Sequence, residues 1–290
     1  MDTIKISPSL NSDQKIWRYL TLDKFIDLIS RQALYFAPLE KFIDSDPFEG
    51  YMPIPALKIF HGALGDTIQF FEKESLDRFE KLGAENGVPI NTEKFKRTIN
   101  SETDKIKKKS LKFMKILGKS IQVNCWNISD YESEAFWKLY SDEGKGVAIE
   151  STVESLSKSI FPTYSGNRIH IYPVKYVDFF DESLNVSDCM VDGQVVPLIK
   201  RKSYEHENEV RAFIVPDVDV KRLDEHKIEH VFVEVDLSVL IERIHISPFA
   251  GTAFKNSVKA VSKAFNIEIC KISVSNLLSD SDKLFDLLES

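Results

Sequence analysis

The sequence predicts an α+β protein, a largely antiparallel sheet, continuous or split, with flanking helices and a helical insertion. Three observations predict it. Short β-branched and aromatic runs recur from one end of the chain to the other. Segments of helical period separate them without strict β-α alternation, which argues against a doubly wound parallel sheet. A long polar stretch from about residue 55 to 118 has helical character only, and it divides the early strands from the later ones. We read residues 1–290 as one domain carrying that insertion, since 290 residues can form one large body.

Taken in order, Ile16 to Tyr19 reads as a strand, and Thr21 stands where it can cap a helix with the apolar stripe Phe25, Ile26, Leu28 and Ile29. Leu34 to Phe36 is a second strand, ended by Pro38. Asp44-Ser45-Asp46-Pro47-Phe48-Glu49-Gly50 is a turn by composition, because Asx and Ser side chains bond their own backbone and Pro presets φ. Ile68, Phe71, Leu76 and Phe79 mark a helix face that Gly83 and Gly87 to Pro89 interrupt. Ile99, Ile106, Phe113, Ile116 and Leu117 continue it.

A third strand is expected at Ile121 to Trp126, a helix at Glu134 to Tyr140, and a strand at Val147 to Glu150 after a glycine turn. Further strands are expected at Ile169 to Val177, Val210 to Val215, His230 to Leu237 and Glu242 to Ile246. A helix from Phe254 to Phe265 and a strand from Ile267 to Ile272 complete the series.

Composition narrows the chemistry. Cys125, Cys189 and Cys270 form no C-x-x-C pair, so a disulfide framework or cysteine zinc site is not expected, and a reducing, cytoplasmic setting fits. No apolar run suggests a leader or a membrane partner. The net charge of -7 is unevenly spread: residues 94–119 hold ten Lys and Arg against Glu102 and Asp104, ten minus two or about +8, which leaves about -15 elsewhere. Such a block is either a solvated helix face or a contact for nucleic acid or an acidic partner.

His226-Lys227-Ile228-Glu229-His230 has the spacing of an inverted zinc motif, but strand-like alternation begins at Val231. Histidines so spaced in extended chain lie about 13 Å apart, too far for one metal. No metal is expected. Three constellations remain. In Trp17-Arg18-Tyr19 the cation faces opposite to the two rings on a strand. Trp137 and Tyr140 lie one helical turn apart. In Tyr204-Glu205-His206-Glu207-Asn208-Glu209-Val210-Arg211 a strand would place three carboxylates on one face, where they either stay solvated or line a site that binds something positive.

In this order the residues resemble a bacterial family known only as a domain of unknown function. Its pattern runs from aromatic-Arg-Tyr through an N-D-P-x-E turn, a C-x-S segment, W-x-x-Y and a glycine turn to an aromatic residue before E-x-E-x-R. The counterparts are Trp17-Arg18-Tyr19, Asp46-Pro47-Phe48-Glu49, Cys125-Trp126-Asn127, Trp137 with Tyr140, Gly146, and Tyr204 leading to Glu207-Asn208-Glu209-Val210-Arg211. Ser45 and Asn127 depart from it, standing where the family has Asn and Ser.

The layout is also similar to that of ADP-ribosyltransferases, whose split sheet grips NAD. That resemblance implies an NAD-consuming transferase or glycohydrolase, an intracellular toxin or defence effector acting on a macromolecular acceptor, with NAD as substrate. Glu209 would stabilise the positive sugar formed as nicotinamide leaves, and Glu207 would orient or deprotonate the acceptor. A nucleotide-like ligand would meet Arg18, Tyr19, Asp46, Glu49, Trp137, Tyr140, Tyr204 and Arg211. The alternatives are a non-catalytic ligand-sensing or interaction module and a metal-dependent nuclease using Asp46, Glu49, Glu207 and Glu209.

Overall fold

The computed structural model describes residues 3–87, 92–161, 166–194 and 197–278. Twelve strands are described: β1 Ile4–Ile6, β2 Lys15–Thr21, β3 Ala33–Pro38, β4 Gln122–Ile128, β5 Gly146–Thr152, β6 Ile169–Pro173, β7 Lys175–Val177, β8 Ile199–Arg201, β9 Glu209–Ile214, β10 Val231–Glu234, β11 Arg243–Ile246 and β12 Ile272–Val274. The described helices are α1 Leu22–Arg31, α2 Ile54–Asn86, α3 Thr92–Ser120, α4 Glu134–Tyr140, α5 Val153–Ser159, α6 Leu237–Leu240 and α7 Thr252–Ala264. The fold is α+β: a ten-stranded, mostly antiparallel sheet in the order β1-β6-β9-β4-β2-β5-β11-β12, with β3 and β10 attached beside β4, and helices around it.

The sheet is split at β4. One edge of β4 pairs with β9 from Gln122 to Asn127. The other edge is divided, because β2 meets it only at Trp17↔Asn127 and Ile16↔Ile128, and β3 only at Ala37↔Val123 and Pro38↔Gln122. The backbone from Asn124 to Trp126 therefore has no strand on that side. Buried backbone polar groups must be paired, and side chains supply the partners. Arg18 Nη1 donates to the Cys125 carbonyl (2.9 Å), while the Asn124 amide donates to the Tyr35 carbonyl (3.0 Å) and accepts from the Trp126 indole (2.7 Å).

Period two sorts the residues of each strand. On β9, Val210, Ala212 and Ile214 enter the main core with Phe25, Leu28 and Ile29 of α1, Leu156 of α5, Leu240 of α6 and Val258 of α7. Glu209, Arg211 and Phe213 take the opposite face. On β2, Ile16 and Leu20 enter the core, whereas Trp17 and Tyr19 pack with Phe136, Trp137 and Ala148.

α2 and α3 form the expected helical insertion, an antiparallel pair held by Phe79 stacked on Phe95 at 3.8 Å and by a Thr103 to Glu72 hydrogen bond. Gly83 does not break α2. It lies buried in the helix, which ends at Gly87, φ 61°. At the base Gly50 (φ +77°) meets the Gly118 carbonyl so closely that a Cβ on Gly50 would lie 2.7 Å from it. No helix among the described residues is long and apolar enough to cross a membrane.

Other expectations need correction. Thr21 sits at the N-cap position of α1 without making a side-chain cap. The stretch Ile169 to Val177 is two strands, β6 and β7. The final strand begins at Ile272, since 269–271 form a 3₁₀ turn. His226 and His230 flank non-helical chain: His226 meets the Ser120 hydroxyl (3.0 Å) and His230 packs on Tyr35 (5.1 Å).

The Phe79–Phe95 and Glu72–Thr103 pairings place residue 64 roughly opposite residue 111. Replacing residues 64–111 by a short Gly-Ser turn is expected to leave a single cooperative urea transition. Loss of cooperativity would show that the outer hairpin belongs to the core.

Candidate functional site

A cleft of about 580 Å³ opens over the split. Its walls include Trp17, Arg18 and Tyr19 of β2, Asp46 and Glu49 of the turn after β3, Trp126 and Asn127 of β4, Phe136 and Tyr140 of α4, Lys200 of β8, and Tyr204, Glu207, Glu209 and Arg211. Residues scattered along the chain meet because β9, β4 and β2 are neighbours in the sheet. Arg18 has the parity of the core-facing residues of β2. It reaches the cleft through the gap in the sheet, where its guanidinium lies 5.8 Å from the Trp126 ring centroid.

The floor is a buried ionic network. Arg211 forks onto Glu209, Nε to Oε1 at 2.9 Å and Nη2 to Oε2 at 3.0 Å, and its Nη1 donates to Glu49 and to the Pro197 carbonyl, both at 2.7 Å. Lys200 pairs with Glu207 and lies 3.5 Å from Glu209 and 3.7 Å from Glu49. Three carboxylates thus share two cations. Burial alone would raise the Glu209 carboxyl, but Arg211 and Lys200 outweigh it and bring it down to about 2. At Glu207 burial prevails over Lys200, and the carboxyl sits above its ordinary range. Burial lowers the Lys200 ammonium, yet its carboxylates carry it above the usual lysine value.

Asp46 anchors the turn. Its carboxylate accepts from the Phe48 amide (3.1 Å) and pairs with Arg201 (2.7 Å), and the Tyr204 hydroxyl donates to the Ser45 carbonyl (2.7 Å). Asp46 and Tyr204 therefore hold Glu49 against Arg211. Burial beside Glu209 pushes the Cys125 thiol well up, so it is no thiolate nucleophile.

Arg18 differs from the other two cations. It is half-buried, and the partial loss of water lowers its affinity for the proton. Among the described residues no carboxylate lies within salt-bridge distance of it, and the Cys125 carbonyl is its sole hydrogen-bond partner shown. Asn127 donates to the Glu207 carbonyl (2.8 Å), while its own buried Oδ1 has no partner among the described residues.

Two sequence-based assignments change. Glu205, Glu207 and Glu209 do not form one strand face, because residues 202–207 are a 3₁₀ turn and Asn208, at φ 35°, kinks the chain before β9. Glu205 is left exposed, outside the cleft. Trp137 does not line the cleft. It is fully buried, edge-on to Tyr19 at 5.0 Å, with its indole N–H donating to Glu132 (2.9 Å), and Phe136 and Tyr140 bring that helix to the wall. Lys200 was missed. Its signal was electrostatic: a buried E-x-E beside a third carboxylate requires a second cation besides Arg211.

No family model, curated protein or solved structure matches the chain.

Arg211→Met strands Glu209 and Glu49 without their main cation and is expected to cost about 3–5 kcal/mol in urea unfolding. Glu209 titrates near 2 in the folded state against about 4.3 unfolded. Its contribution is therefore present above about pH 4.3 and is lost as pH falls toward 2. Arg211→Met should flatten the dependence of stability on pH across that window.

Proposed function

We propose that the split-sheet cleft binds an anionic, aromatic ligand of the nucleotide class, with Arg18 as its anion anchor. The observation that carries this reading is the half-buried Arg18 guanidinium, which lines both cavities with one protein acceptor and no ion-pair partner among the described residues. A phosphate or carboxylate presented to Arg18 would supply it with a counter-charge through a forked hydrogen bond.

The rest of the wall is consistent with such a ligand. Tyr140 offers exposed ring surface, with the Tyr19 and Phe136 rings beside it. A second cavity of about 450 Å³ adjoins the cleft, and the two share Arg18, Leu20, Lys24, Tyr35 and Lys41. Two chambers with three cations at their shared boundary suit a molecule with two aromatic ends and a pyrophosphate between them. NAD has that form.

A second reading, that bound NAD is consumed, draws on Glu209, a carboxylate held ionised on the cleft wall that would stabilise positive charge developing on the ribose. Its charge is shared with Arg211 and Lys200, and Glu207 is engaged by Lys200, so we place binding ahead of turnover. The toxin or defence role and the macromolecular acceptor depend on this second reading. The nuclease alternative gains no support, because Arg201, Arg211 and Lys200 already engage the carboxylates it would need.

Calorimetric titration with NAD, ADP and AMP tests the first reading. Arg18→Gln is expected to weaken the best ligand about 10- to 100-fold, the worth of a charged hydrogen bond. The unfolding midpoint should change little, since glutamine keeps a donor for the Cys125 carbonyl. Equal affinity in wild type and variant would overturn the assignment. For turnover, free nicotinamide is the readout, and Glu209→Gln should reduce its release about 10²- to 10³-fold. Undiminished release would remove Glu209 from the chemistry.

A further inference from the structure

α3 carries its positive charge on one line. Arg97, Lys105, Lys108, Lys112, Lys115 and Lys119 follow one another at steps of eight, three, four, three and four residues. At 3.6 residues per turn these steps return to the same side of a helix, so the six cations form a stripe about 33 Å long. The packing of α3 fixes where the stripe faces. Phe95, Thr103 and Phe113 lie on the opposite side, with Phe95 stacked on Phe79 and Thr103 bonded to Glu72 of α2. The stripe is thereby turned to solvent, and Arg97, Lys105, Lys108, Lys112 and Lys115 are exposed.

The protein's own acids compensate it only in part. Lys105 pairs with Glu102 (2.6 Å), Lys112 with Asp224, and Lys119 with Glu40 (3.1 Å), all on the surface. Exposed pairs of this kind contribute little and give way readily to a stronger anion. Arg97, Lys108 and Lys115 have no acidic partner among the described residues. Of the two acidic residues between Lys94 and Lys119, Glu102 stands off the line and Asp104, four residues before Lys108, borders it.

We propose that this stripe binds the phosphate backbone of double-stranded nucleic acid. Its length approximates one turn of a duplex, about 34 Å. From Lys105 to Lys119 its spacing of roughly 5 Å per cation presents a linear array to a linear polyanion. It also lacks what a protein interface needs, an apolar centre from which water is excluded. The exposed Ile106 and Leu111 lie off the stripe, and no apolar side chain interrupts it. Recognition through such a row reads charge and not base sequence. The inference is independent of the cleft and survives if that reading fails.

Binding of the full chain to random-sequence duplex DNA and duplex RNA of equal length, followed by fluorescence anisotropy across a salt series, tests it. Wild type is expected to bind at least one duplex without sequence preference, with log K falling against log salt at a slope of about -4. The triple variant Arg97→Gln, Lys108→Gln, Lys115→Gln should lose at least about 30-fold in affinity at low salt and lower that slope by about 2 to 3 units. Glutamine is a good helix former, and circular dichroism of the variant verifies that the hairpin is intact. Three outcomes overturn the proposal: no duplex bound at low salt, a triple variant with unchanged affinity and slope, or a polyglutamate peptide that binds more tightly than either duplex.

Discussion

A strand has two edges, and each can hold only one neighbour at a time. In this protein β4 gives one edge to β9 throughout and divides the other between β2 and β3. That division leaves a short length of backbone unpaired in the middle of a sheet. The rest of the site follows from the need to satisfy it. Arg18 is drawn into the gap by the Cys125 carbonyl, and Asn124 crosses the gap to Tyr35. Continuous pairing of β2 with β4 would close the cleft and leave the Arg18 side chain without its position.

The charges beneath the split form a balanced set. Glu49, Glu207 and Glu209 face Lys200 and Arg211, and Arg18 brings the count to three of each sign. The balance is distributed unequally. Arg211 has four donors engaged by protein acceptors, whereas Arg18 has one. The network thereby separates a structural cation from one that faces the cleft, and the two belong to different strands. Asp46, Arg201 and Tyr204 keep the separation by fixing the turn that presents Glu49.

Most of the architecture was legible in the sequence because period two and period 3.6 are strong local signals. The strands at Ile16 to Tyr19, Leu34 to Phe36 and Val210 to Val215, the α4 helix and the helical insertion all lie where their apolar spacing places them. Arg18, Tyr140, Tyr204, Glu207, Glu209 and Arg211, with the Asp46 to Glu49 turn, converge on one cleft. What sequence hid was set by single backbone angles and by burial. Asn208 at positive φ separates Glu207 from the strand of Glu209, and no period-two count can register such a kink. Trp137 and Tyr140 are neighbours by helical spacing, but Tyr19 and Glu132 capture one and leave the other at the surface. Lys200 lies on the short strand β8, and only the burial of the three carboxylates it meets, which period and spacing do not register, calls for it.

The Gly50–Gly118 contact bears on how the chain folds. β3 and β4 pair at Ala37↔Val123, so on an open chain this contact requires closing a loop of more than eighty residues, with the entropy that such a closure costs. α2 and α3 make their contacts locally along the hairpin, the kind of pairing that forms quickly. Once they have zipped together, the two ends of the insertion already meet at the glycines. The long loop is then effectively a short one, and the distant strand pair acquires the kinetics of a neighbouring one. The insertion that separates β3 from β4 in sequence is thus the element that delivers them to each other during folding.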